Sequence, residues 1–274
     1  LTSLDVSNNL LLEAIWCGTN AITSLDISNN PLVTTINMPN NGDLTYANLK
    51  NGNNANVTSF NMNNNDNLIC ALVDDASYST TNWTNISTNT SFSDTYCNYT
   101  AIPDANFEAW LDTQGYDDIS GDGQVPTALI EGVTSVTAQY QDITDFTGIE
   151  DFLALESLTI SYNSHTALDV SNNVYLSTLN TGYCNLESLD VSNNVLLETL
   201  WINSSSVSSL DLSLNTNLKD LVANSMTNLT ELNVKNGNNT NVTNFTTLGS
   251  FNIECILVDD AVYSTTNWTN IESG

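Results

Sequence analysis

One short motif recurs along the chain at a constant step. The hexapeptide Leu-Asp-Val-Ser-Asn-Asn begins at Leu4 and returns, with Ile in place of Val, at Leu25. We call the number of residues along the sequence from Leu4 to Leu25 the short step. The motif begins again at Leu168, at Leu189 and, in a looser form, at Leu210, with the same step. Variants of a second pattern, LxxLxxxxN, alternate with it and begin at Leu12, Val33, Leu155, Leu176, Leu197, Leu218 and Leu229. A fixed period of this kind restricts the fold to a stack of similar coils.

A period of roughly 20–29 residues with this leucine spacing is the signature of leucine-rich repeats. Each coil is expected to bury its Leu, Ile and Val side chains along one inner line and to stack on the next coil about 4.8 Å away. The asparagine at the ninth position of LxxLxxxxN can hydrogen-bond backbone groups at the turn, although Cys184 and Met226 replace it in two coils. The sequence therefore predicts a leucine-rich repeat solenoid, β-rich and of the α/β horseshoe type.

A longer repeat is superimposed on the short one. Lys50–Asn54 matches Lys235–Asn239, and Val73–Ile86 matches Val258–Ile271. The shift from Lys50 to Lys235 and that from Val73 to Val258 are the same, and we call this shift the long offset. The parent protein is therefore expected to carry such units in tandem, and this chain is expected to begin inside one of them.

The long offset divides the chain into two units. Residues 1–97 are predicted to be the C-terminal part of a first repeat unit with its closing cap. Residues 98–274 are predicted to be a second unit, with an N-terminal cap at 98–132, repeats at 133–250 and a closing cap at 251–274. Such caps shield the open ends of a repeat core from water.

A short amphipathic segment follows the start of the second unit. Pro103 and Asp104 are helix-start residues, and Phe107, Trp110 and Leu111 are apolar with i, i+3, i+4 spacing. A glycine shortly after this stripe is a helix-stop residue. The segment is therefore predicted to be a short capping helix.

The charge of the chain excludes two classes of partner. There are 31 acidic residues and three lysines, for a formal net charge of -28. Such a surface repels nucleic-acid phosphates and anionic membranes. No apolar run approaches the roughly 18 residues of a membrane-spanning helix, so we expect no membrane insertion. Charged residues are only 12% of the chain, which is typical of an extracellular β-rich protein.

The inventory for catalysis is thin. Arginine is absent, and His165, the single histidine, is expected on the outer side of a coil. Catalysis needs a base, a nucleophile or acid and a stabilising donor that converge on one point. The paired carboxylates Asp74-Asp75 and Asp259-Asp260 fall in the predicted caps, where roles in turns are expected. The sequence therefore predicts that the chain is not an enzyme.

One acidic loop matches the first half of an EF-hand calcium loop. Asp118, Ser120 and Asp122 stand at loop positions 1, 3 and 5, with glycine at position 6. Leu129 occupies position 12, where an EF-hand has glutamate. Calcium is therefore the one candidate cofactor, and a polar turn after the capping helix is the alternative.

One aspartate recurs in each LDxS motif. These residues are Asp5, Asp26, Asp169, Asp190 and Asp211. Stacked coils place neighbouring carboxylates about 5 Å apart, where like charges repel. Either cations bridge them, or nearby serine hydroxyls satisfy them, namely those of Ser3, Ser24, Ser188 and Ser209.

The outward positions of LxxLxxxxN form the predicted concave face of the solenoid. Positions 3, 5, 7 and 8 of the pattern point away from the core. The candidate binding residues on this face are Trp16, Tyr162, Tyr183, Trp201, Asn203 and Asn224. Aromatic rings among amide and hydroxyl groups suit a sugar or a protein partner. The alternative is that each tryptophan lies flat over the sheet without a ligand.

Five cysteines are present. Cys70 and Cys97 bracket the closing segment of the first unit, and we predict a disulfide between them that contributes roughly 3 kcal/mol. The counterpart of Cys97 at the long offset would fall beyond the last residue of the chain, so Cys255 is expected to lack that partner. Cys17 and Cys184 fall inside coils and are expected to be small buried side chains.

The flanking segments resemble those of one protein family. Ile102–Asp118 matches a leading IPDxNFExxL…GYDD segment, and Val73–Ile86 and Val258–Ile271 match a closing VDDxxYSxxNWTNI segment. Together with the LxxLDVSNN repeats, they make the chain similar to the secreted leucine-rich repeat proteins of Bacteroidetes, notably flavobacteria, over essentially its whole length. The resemblance implies export to the bacterial outer cell surface or the medium.

These observations predict a non-catalytic extracellular scaffold for cell-surface adhesion, display or a structural array. The expected partners are a protein or a polysaccharide at the cell surface, or further copies in an array or filament. The alternative function is a carbohydrate-binding module that uses the aromatic residues of the concave face.

Overall fold

The structure is a computed structural model that describes residues 1–271. The chain divides into two compact units, residues 1–97 and residues 98–274. Both are leucine-rich repeat solenoids, because short strands from successive coils pair in parallel and in register. In the described part of the chain, no helix combines the length and the hydrophobicity needed to cross a bilayer.

Unit 1 (residues 1–97) contains two parallel sheets. Its elements are β1 Ala14–Trp16, β2 Ser24–Asp26, β3 Thr35–Asn37, β4 Tyr46–Asn48, β5 Ser59–Asn61, β6 Cys70–Leu72, α1 Ala76–Asn82 and β7 Ser91–Ser93. Strands β1, β3 and β5 form the LxxL sheet, named for the LxxLxxxxN segment that supplies β1. Strands β2, β4, β6 and β7 form the LD sheet, named for the LDxS motif in β2.

Unit 2 (residues 98–274) repeats this plan behind an N-terminal cap. Its elements are β8 Tyr99–Ala101, α2 Ala105–Gln114, β9 Gln124–Pro126, α3 Thr127–Ile130, β10 Ser135–Thr137, β11 Ser157–Thr159, β12 Thr178–Asn180, β13 Thr199–Trp201, β14 Ser209–Asp211, β15 Asp220–Val222, β16 Glu231–Asn233, β17 Asn244–Thr246, β18 Cys255–Leu257 and α4 Ala261–Asn267. The LxxL sheet has the order β10-β11-β12-β13-β15-β17, and the LD sheet has the order β14-β16-β18. The α-helices of residues 1–271 all lie in the cap segments, and the coils are built of strands, turns and 3-10 turns.

The leucine spacing produces these sheets through burial of the central residue of each strand. Leu158, Leu179 and Leu200 are aligned across β11, β12 and β13 and are fully buried. The flanking residues of each strand are half-buried or exposed. Burying a leucine stabilises the fold by about 2 kcal/mol. The short step therefore returns each leucine to the same inner line.

The structure corrects the assignment of the segment that begins at Leu229. Its strand, β16, pairs with β14 and β18 and so belongs to the LD sheet. The next strand of the LxxL sheet is instead β17, centred on Phe245. The distance from Leu218 to Leu229 is close to half of the short step, so the chain has already reached the opposite side of the solenoid.

The predicted capping helix is present as α2 and is set by its terminal residues. The Asp104 carboxylate accepts hydrogen bonds from the Asn106 and Phe107 amides, as an N-cap residue does. Gly115 ends the helix in the left-handed conformation at φ 79°. Phe107 packs on Phe146 with ring centroids 5.0 Å apart. The helix thereby covers the first coils of unit 2 with apolar side chains.

The ninth-position asparagines bond backbone groups, as predicted. The Asn163 Nδ2 amide donates to the carbonyl oxygens of Ala138 and Ile160 at 2.7 and 2.8 Å. Its Oδ1 accepts from the amides of Gln141 and Ile143. Each such side chain therefore satisfies backbone groups of two neighbouring coils.

A second asparagine ladder, which the sequence analysis did not identify, lies on the LD side. It is formed by the last residue of the LDVSNN motif, which is fully buried at Asn30 in unit 1 and at Asn173, Asn194 and Asn215 in successive coils of unit 2. The Asn194 Nδ2, for example, donates to the carbonyl oxygens of Val170 and Asn173, both at 2.9 Å. The motif therefore encodes the contact between coils as well as the turn.

Candidate functional site

Three exposed tyrosines form a continuous stack at the end of the LxxL sheet of unit 2. The ring centroids of Tyr140 and Tyr162 lie 4.3 Å apart with planes 12° from parallel, and those of Tyr162 and Tyr183 lie 4.5 Å apart with planes 7° from parallel. The three side chains are 66%, 41% and 50% exposed, respectively. We call Tyr140, Tyr162 and Tyr183 the tyrosine stack.

The backbone fixes the spacing of the stack. Each tyrosine follows a strand of the LxxL sheet and adopts a left-handed conformation, with φ between 56° and 59°. Ser204, Ser225 and Gly249 occupy the same left-handed place in the following coils. A bulky residue there costs roughly 1 kcal/mol, whereas offset stacking contributes about 0.5–1.5 kcal/mol per pair. The turn geometry thus places one side chain per coil at stacking distance.

The environment of the stack acts on its central hydroxyl group. Removal from water between its neighbours raises the pKa of Tyr162, and a hydrogen bond with Tyr140 acts in the same direction. A hydrogen bond with Tyr183 acts in the opposite direction but does not outweigh them, so the Tyr162 hydroxyl is a weaker acid than that of an isolated tyrosine.

Tyr140 is a member of the stack that the sequence analysis missed. The distance from Tyr140 to Tyr162 is one residue longer than the short step, which separates Tyr162 from Tyr183. The segment before Tyr140 also lacks the leading leucine of LxxLxxxxN. Recurrence of tyrosine after each strand was the signal that could have identified it.

Trp201, Asn203 and Asn224 lie on the same sheet, in the coils after the stack. Trp201 is 40% exposed on β13 and stands in register between Asn180 and Val222. The Asn203 Oδ1 accepts from the Asn224 amide at 2.9 Å. The two asparagines therefore join neighbouring coils, and Trp201 is the side chain of the three that is open to a partner.

Trp16 occupies the corresponding position in unit 1. It ends β1, is paired in register with Asn37 and is 71% exposed. The indole therefore offers an apolar surface with one N–H donor to a partner.

The structure corrects the expected position of His165. The side chain is fully buried, its ring lies edge-on to Phe146 with centroids 4.9 Å apart, and its Nε2 is 3.1 Å from the Thr181 hydroxyl. In the repeat register His165 aligns with Leu186 and Val207, which are also fully buried. The single histidine is therefore a core residue and is not exposed to a substrate.

Stability is expected to fall on acidification because of His165. Burial lowers its pKa from 6.5 to about 4. The unfolded chain therefore binds a proton that the folded chain excludes, and the free energy of unfolding decreases as the pH falls from 6.5 towards 4. We expect a loss of about 2 kcal/mol between pH 7 and pH 4.5, measured by urea denaturation. His165→Leu should reduce the loss of stability by this amount, and an unchanged slope would contradict the assignment.

The aspartates of the LDxS motifs bond their own turns. The Oδ1 of Asp5, Asp169 and Asp190 accepts from the amide of the serine two residues later, at 2.9 Å in each case. Hydrogen bonds from these serines lower the pKa of all three carboxyl groups. The prediction that the serines two residues before each aspartate are the partners was therefore wrong. A turn within the motif satisfies the carboxylate with less ordering of the chain.

In the acidic loop after α2, the carboxylates of Asp118 and Asp122 accept hydrogen bonds from other groups of the protein. The Asp118 Oδ2 accepts from the Tyr99 hydroxyl at 3.1 Å, and both oxygens of Asp122 accept from Gln124. Ser120 is exposed. Within residues 1–271, no group of three or more acidic, histidine or cysteine side chains is arranged to hold a metal ion. Calcium binding by this loop stays a prediction.

The cysteines fall into two groups. Cys70 and Cys97, the pair selected from the sequence, are joined by a disulfide. Among the free cysteines, Cys184 is buried, Cys17 is half-buried and Cys255 is exposed. The expectation of full burial was therefore wrong for Cys17.

Neither a protein-family profile nor a curated protein matches the chain. Among solved structures it is similar to three proteins of Listeria monocytogenes. The functional domain of InlJ, which includes a cysteine ladder, is 19% identical over 96% of this chain and 49% of that chain, with a TM-score of 0.42. Internalin C2 is 17% identical over 63% of this chain and 95% of that chain, and internalin InlF is 22% identical over 98% and 75%, both with a TM-score of 0.39. The chain spans about half the length of the InlJ domain.

Proposed function

We propose that the chain is a non-catalytic extracellular scaffold that binds a protein partner for adhesion or display at a cell surface. The tyrosine stack carries this proposal, with Trp201 as a further contact. The rings of the three tyrosines remain exposed. Serine and glycine fill the same left-handed backbone positions in other coils of the sheet. Tyrosine is enriched at protein interfaces because it combines a large apolar area with a hydroxyl group.

The stacking geometry favours a protein over a polysaccharide. A sugar ring binds to the flat face of an aromatic ring, and in the stack neighbouring tyrosines cover both faces of Tyr162 and one face each of Tyr140 and Tyr183. Ring edges and hydroxyl groups remain open, and they suit the mixed polar and apolar surface of a protein. Carbohydrate binding is the second candidate because Trp201 is exposed beside the stack.

Charge and covalent structure support the rest of the proposal. With a formal net charge of -28, the scaffold attracts a basic protein surface and accelerates its association at low salt. A disulfide, as between Cys70 and Cys97, persists in oxidising environments such as the cell exterior. Self-assembly into an array is a further form of display that this proposal includes.

The test is a binding screen of the purified chain against arrays of extracellular proteins and of polysaccharides. We expect a protein ligand whose Kd increases about 10- to 100-fold in a Tyr162→Ala/Tyr183→Ala variant. Tyr175→Ala is the matched control, because Tyr175 is also exposed in unit 2 but lies outside the stack. Binding to polysaccharides alone, abolished by Trp201→Ala, would replace the protein proposal with the carbohydrate one.

A further inference from the structure

The tyrosine stack ends at Tyr183, although the backbone that positions it continues into the next coils. The Tyr183 amide donates to the Asn203 carbonyl oxygen at 2.6 Å, and the Ser204 amide donates to the Asn224 carbonyl oxygen at 2.9 Å. Ser204 has the same left-handed conformation as Tyr183, with φ 55° against 59°. The backbone position for a fourth ring is therefore present, but a small serine side chain fills it.

The residues beyond Ser204 also keep this column low. Ser225 and Gly249 occupy the left-handed place in the following two coils. Ser204 is half-buried and Ser225 is exposed. We call the space above Ser204, bounded on one side by the ring of Tyr183, the ring notch.

One face of the Tyr183 ring is turned towards the ring notch. Its opposite face is covered by Tyr162, with centroids 4.5 Å apart, and the coils follow one another in a single direction. Neighbouring coils are spaced by about 4.8 Å, and aromatic rings stack with centroids roughly 4.5–7 Å apart. A ring from another molecule in the notch would therefore lie at a normal stacking distance from Tyr183.

The opposite end of the stack differs from the ring notch. The strand before Tyr140 is β10, which is the edge strand of the LxxL sheet of unit 2. Among the described residues, no earlier strand of this sheet defines a place for a ring there. The end at Tyr183 is thus the one where the fold fixes where the next ring would lie.

Trp201 adds an apolar surface on the coil of the ring notch. The strand β13 ends at Trp201 and leads directly to Ser204. The Trp201 side chain is exposed and stands in register with Val222 on β15. A ring bound in the notch would therefore have an aromatic face on one side and an exposed indole at the end of the neighbouring strand.

Charge on this side of unit 2 favours a ring that arrives with basic neighbours. Glu187 is exposed in the coil of Tyr183, and Asp220 lies on β15 of the same sheet. Of the two lysines of unit 2, Lys219 pairs with Glu198 at 2.7 Å, and Lys235 follows a strand of the LD sheet. A cationic partner therefore meets carboxylates here without a free lysine in competition.

We propose that the ring notch binds an aromatic side chain of a protein partner, flanked in that partner by basic residues. The bound ring takes the fourth place of the stack, above Ser204 and against the open face of Tyr183. Aromatic anchors of this kind carry much of the binding energy of protein interfaces. The inference rests on the proposed protein-binding function and names the group by which the partner is held.

The first test titrates the whole chain with two peptides at low salt and follows binding by NMR. The peptides are acetyl-Lys-Trp-Lys-amide and acetyl-Lys-Ala-Lys-amide, which carry the same charge. We expect the tryptophan peptide to bind about 10-fold more tightly, with nuclear Overhauser contacts between its indole and the Tyr183 ring. Equal affinities would overturn the proposal, and so would tighter binding of cellobiose at Tyr183, which would assign the notch to a sugar.

Two matched substitutions separate the ring notch from the rest of the face. Ser204→Leu fills the notch at a backbone position that already accepts tyrosine in the preceding coils, and it should reduce the affinity for the tryptophan peptide to that for the alanine peptide. Ser225→Leu makes the same change one coil further on, leaves the notch open and should retain the affinity. Unchanged binding in Ser204→Leu, or an equal loss in both folded variants, would overturn the proposal.

The protein ligand from the binding screen distinguishes this inference from the function on which it rests. We expect Ser204→Leu to weaken that ligand about 10-fold, and Ser225→Leu to leave its Kd unchanged. A ligand lost in Tyr162→Ala/Tyr183→Ala but bound normally by Ser204→Leu would overturn the ring notch and leave the protein-binding function in place.

Discussion

Replacing Asp104 by alanine is expected to lower the free energy of unfolding of unit 2 by about 4 kcal/mol. One carboxylate oxygen caps α2 through the Asn106 and Phe107 amides. The other accepts from the amide and hydroxyl of Thr144 at 2.9 and 2.7 Å and from the Asp145 amide at 3.2 Å. Alanine leaves these partly buried donors without an acceptor and removes the hydrogen bonds that link the start of the helix to the coil that it covers.

The matched control is Asp112→Ala, which makes the same charge change on the same helix. Asp112 is exposed in the last turn of α2, where a negative charge opposes the helix dipole, so its replacement should be neutral or slightly stabilising. Urea denaturation, followed by hydrogen exchange of the amides of unit 2, gives the free energy of unfolding of both variants. Equal midpoints for the two variants would contradict the role of Asp104.

The stabilising effect of Asp104 should also depend on pH. Burial raises its pKa, but hydrogen bonds from Thr144, Phe107 and Asn106 outweigh that effect and bring the pKa below its ordinary value of 3.8. A depressed carboxyl pKa stabilises the fold above the unfolded pKa and loses this effect as the pH falls through the folded value. The difference between the native chain and Asp104→Ala should therefore shrink below pH 3.8.

Replacing Asn173 by alanine is expected to cost about 3 kcal/mol. Its Nδ2 donates to the carbonyl oxygens of Ile149 and Phe152 at 2.9 and 3.0 Å, and the side chain is fully buried. Alanine removes both hydrogen bonds and leaves a cavity between two coils. The measurement is the free energy of unfolding from urea denaturation at neutral pH.

The adjacent residue supplies the control for this substitution. Asn172 has the same side chain and the same motif but is exposed, so Asn172→Ala should change the free energy of unfolding by less than about 0.5 kcal/mol. A similar loss in both variants would show that the second ladder does not hold the coils together.

The repeat fold was predictable because one local rule, repeated, has a global consequence. A leucine that recurs at each short step and must be buried forces a parallel stack, and the structure has that stack. The helix α2 was also predictable, since Asp104 and Gly115 act through their own neighbouring residues. The fold class and the capping helix were therefore accessible from residue spacing.

Features that depend on which coils meet were harder to predict. His165 was placed on the outer side of a coil, yet its repeat position is that of Leu186 and Val207, which belong to the core. Leu229 satisfied the LxxL pattern but fell half a coil out of phase. The tyrosine stack was not predicted because the spacing from Tyr140 to Tyr162 departs from the short step, so the repeat pattern did not align the two residues.

The residue in the recurring left-handed turn belongs to the exposed surface of each coil and not to the contacts that stabilise the stack of coils. Each coil has one residue at this place, outside the core and outside both asparagine ladders, and the chain fills it with tyrosine, serine, threonine, asparagine or glycine. Selection can therefore rewrite this column of side chains without altering the scaffold. Substitutions confined to this position in each coil can therefore change the binding surface, and with it the partner, while the coils and their contacts stay the same.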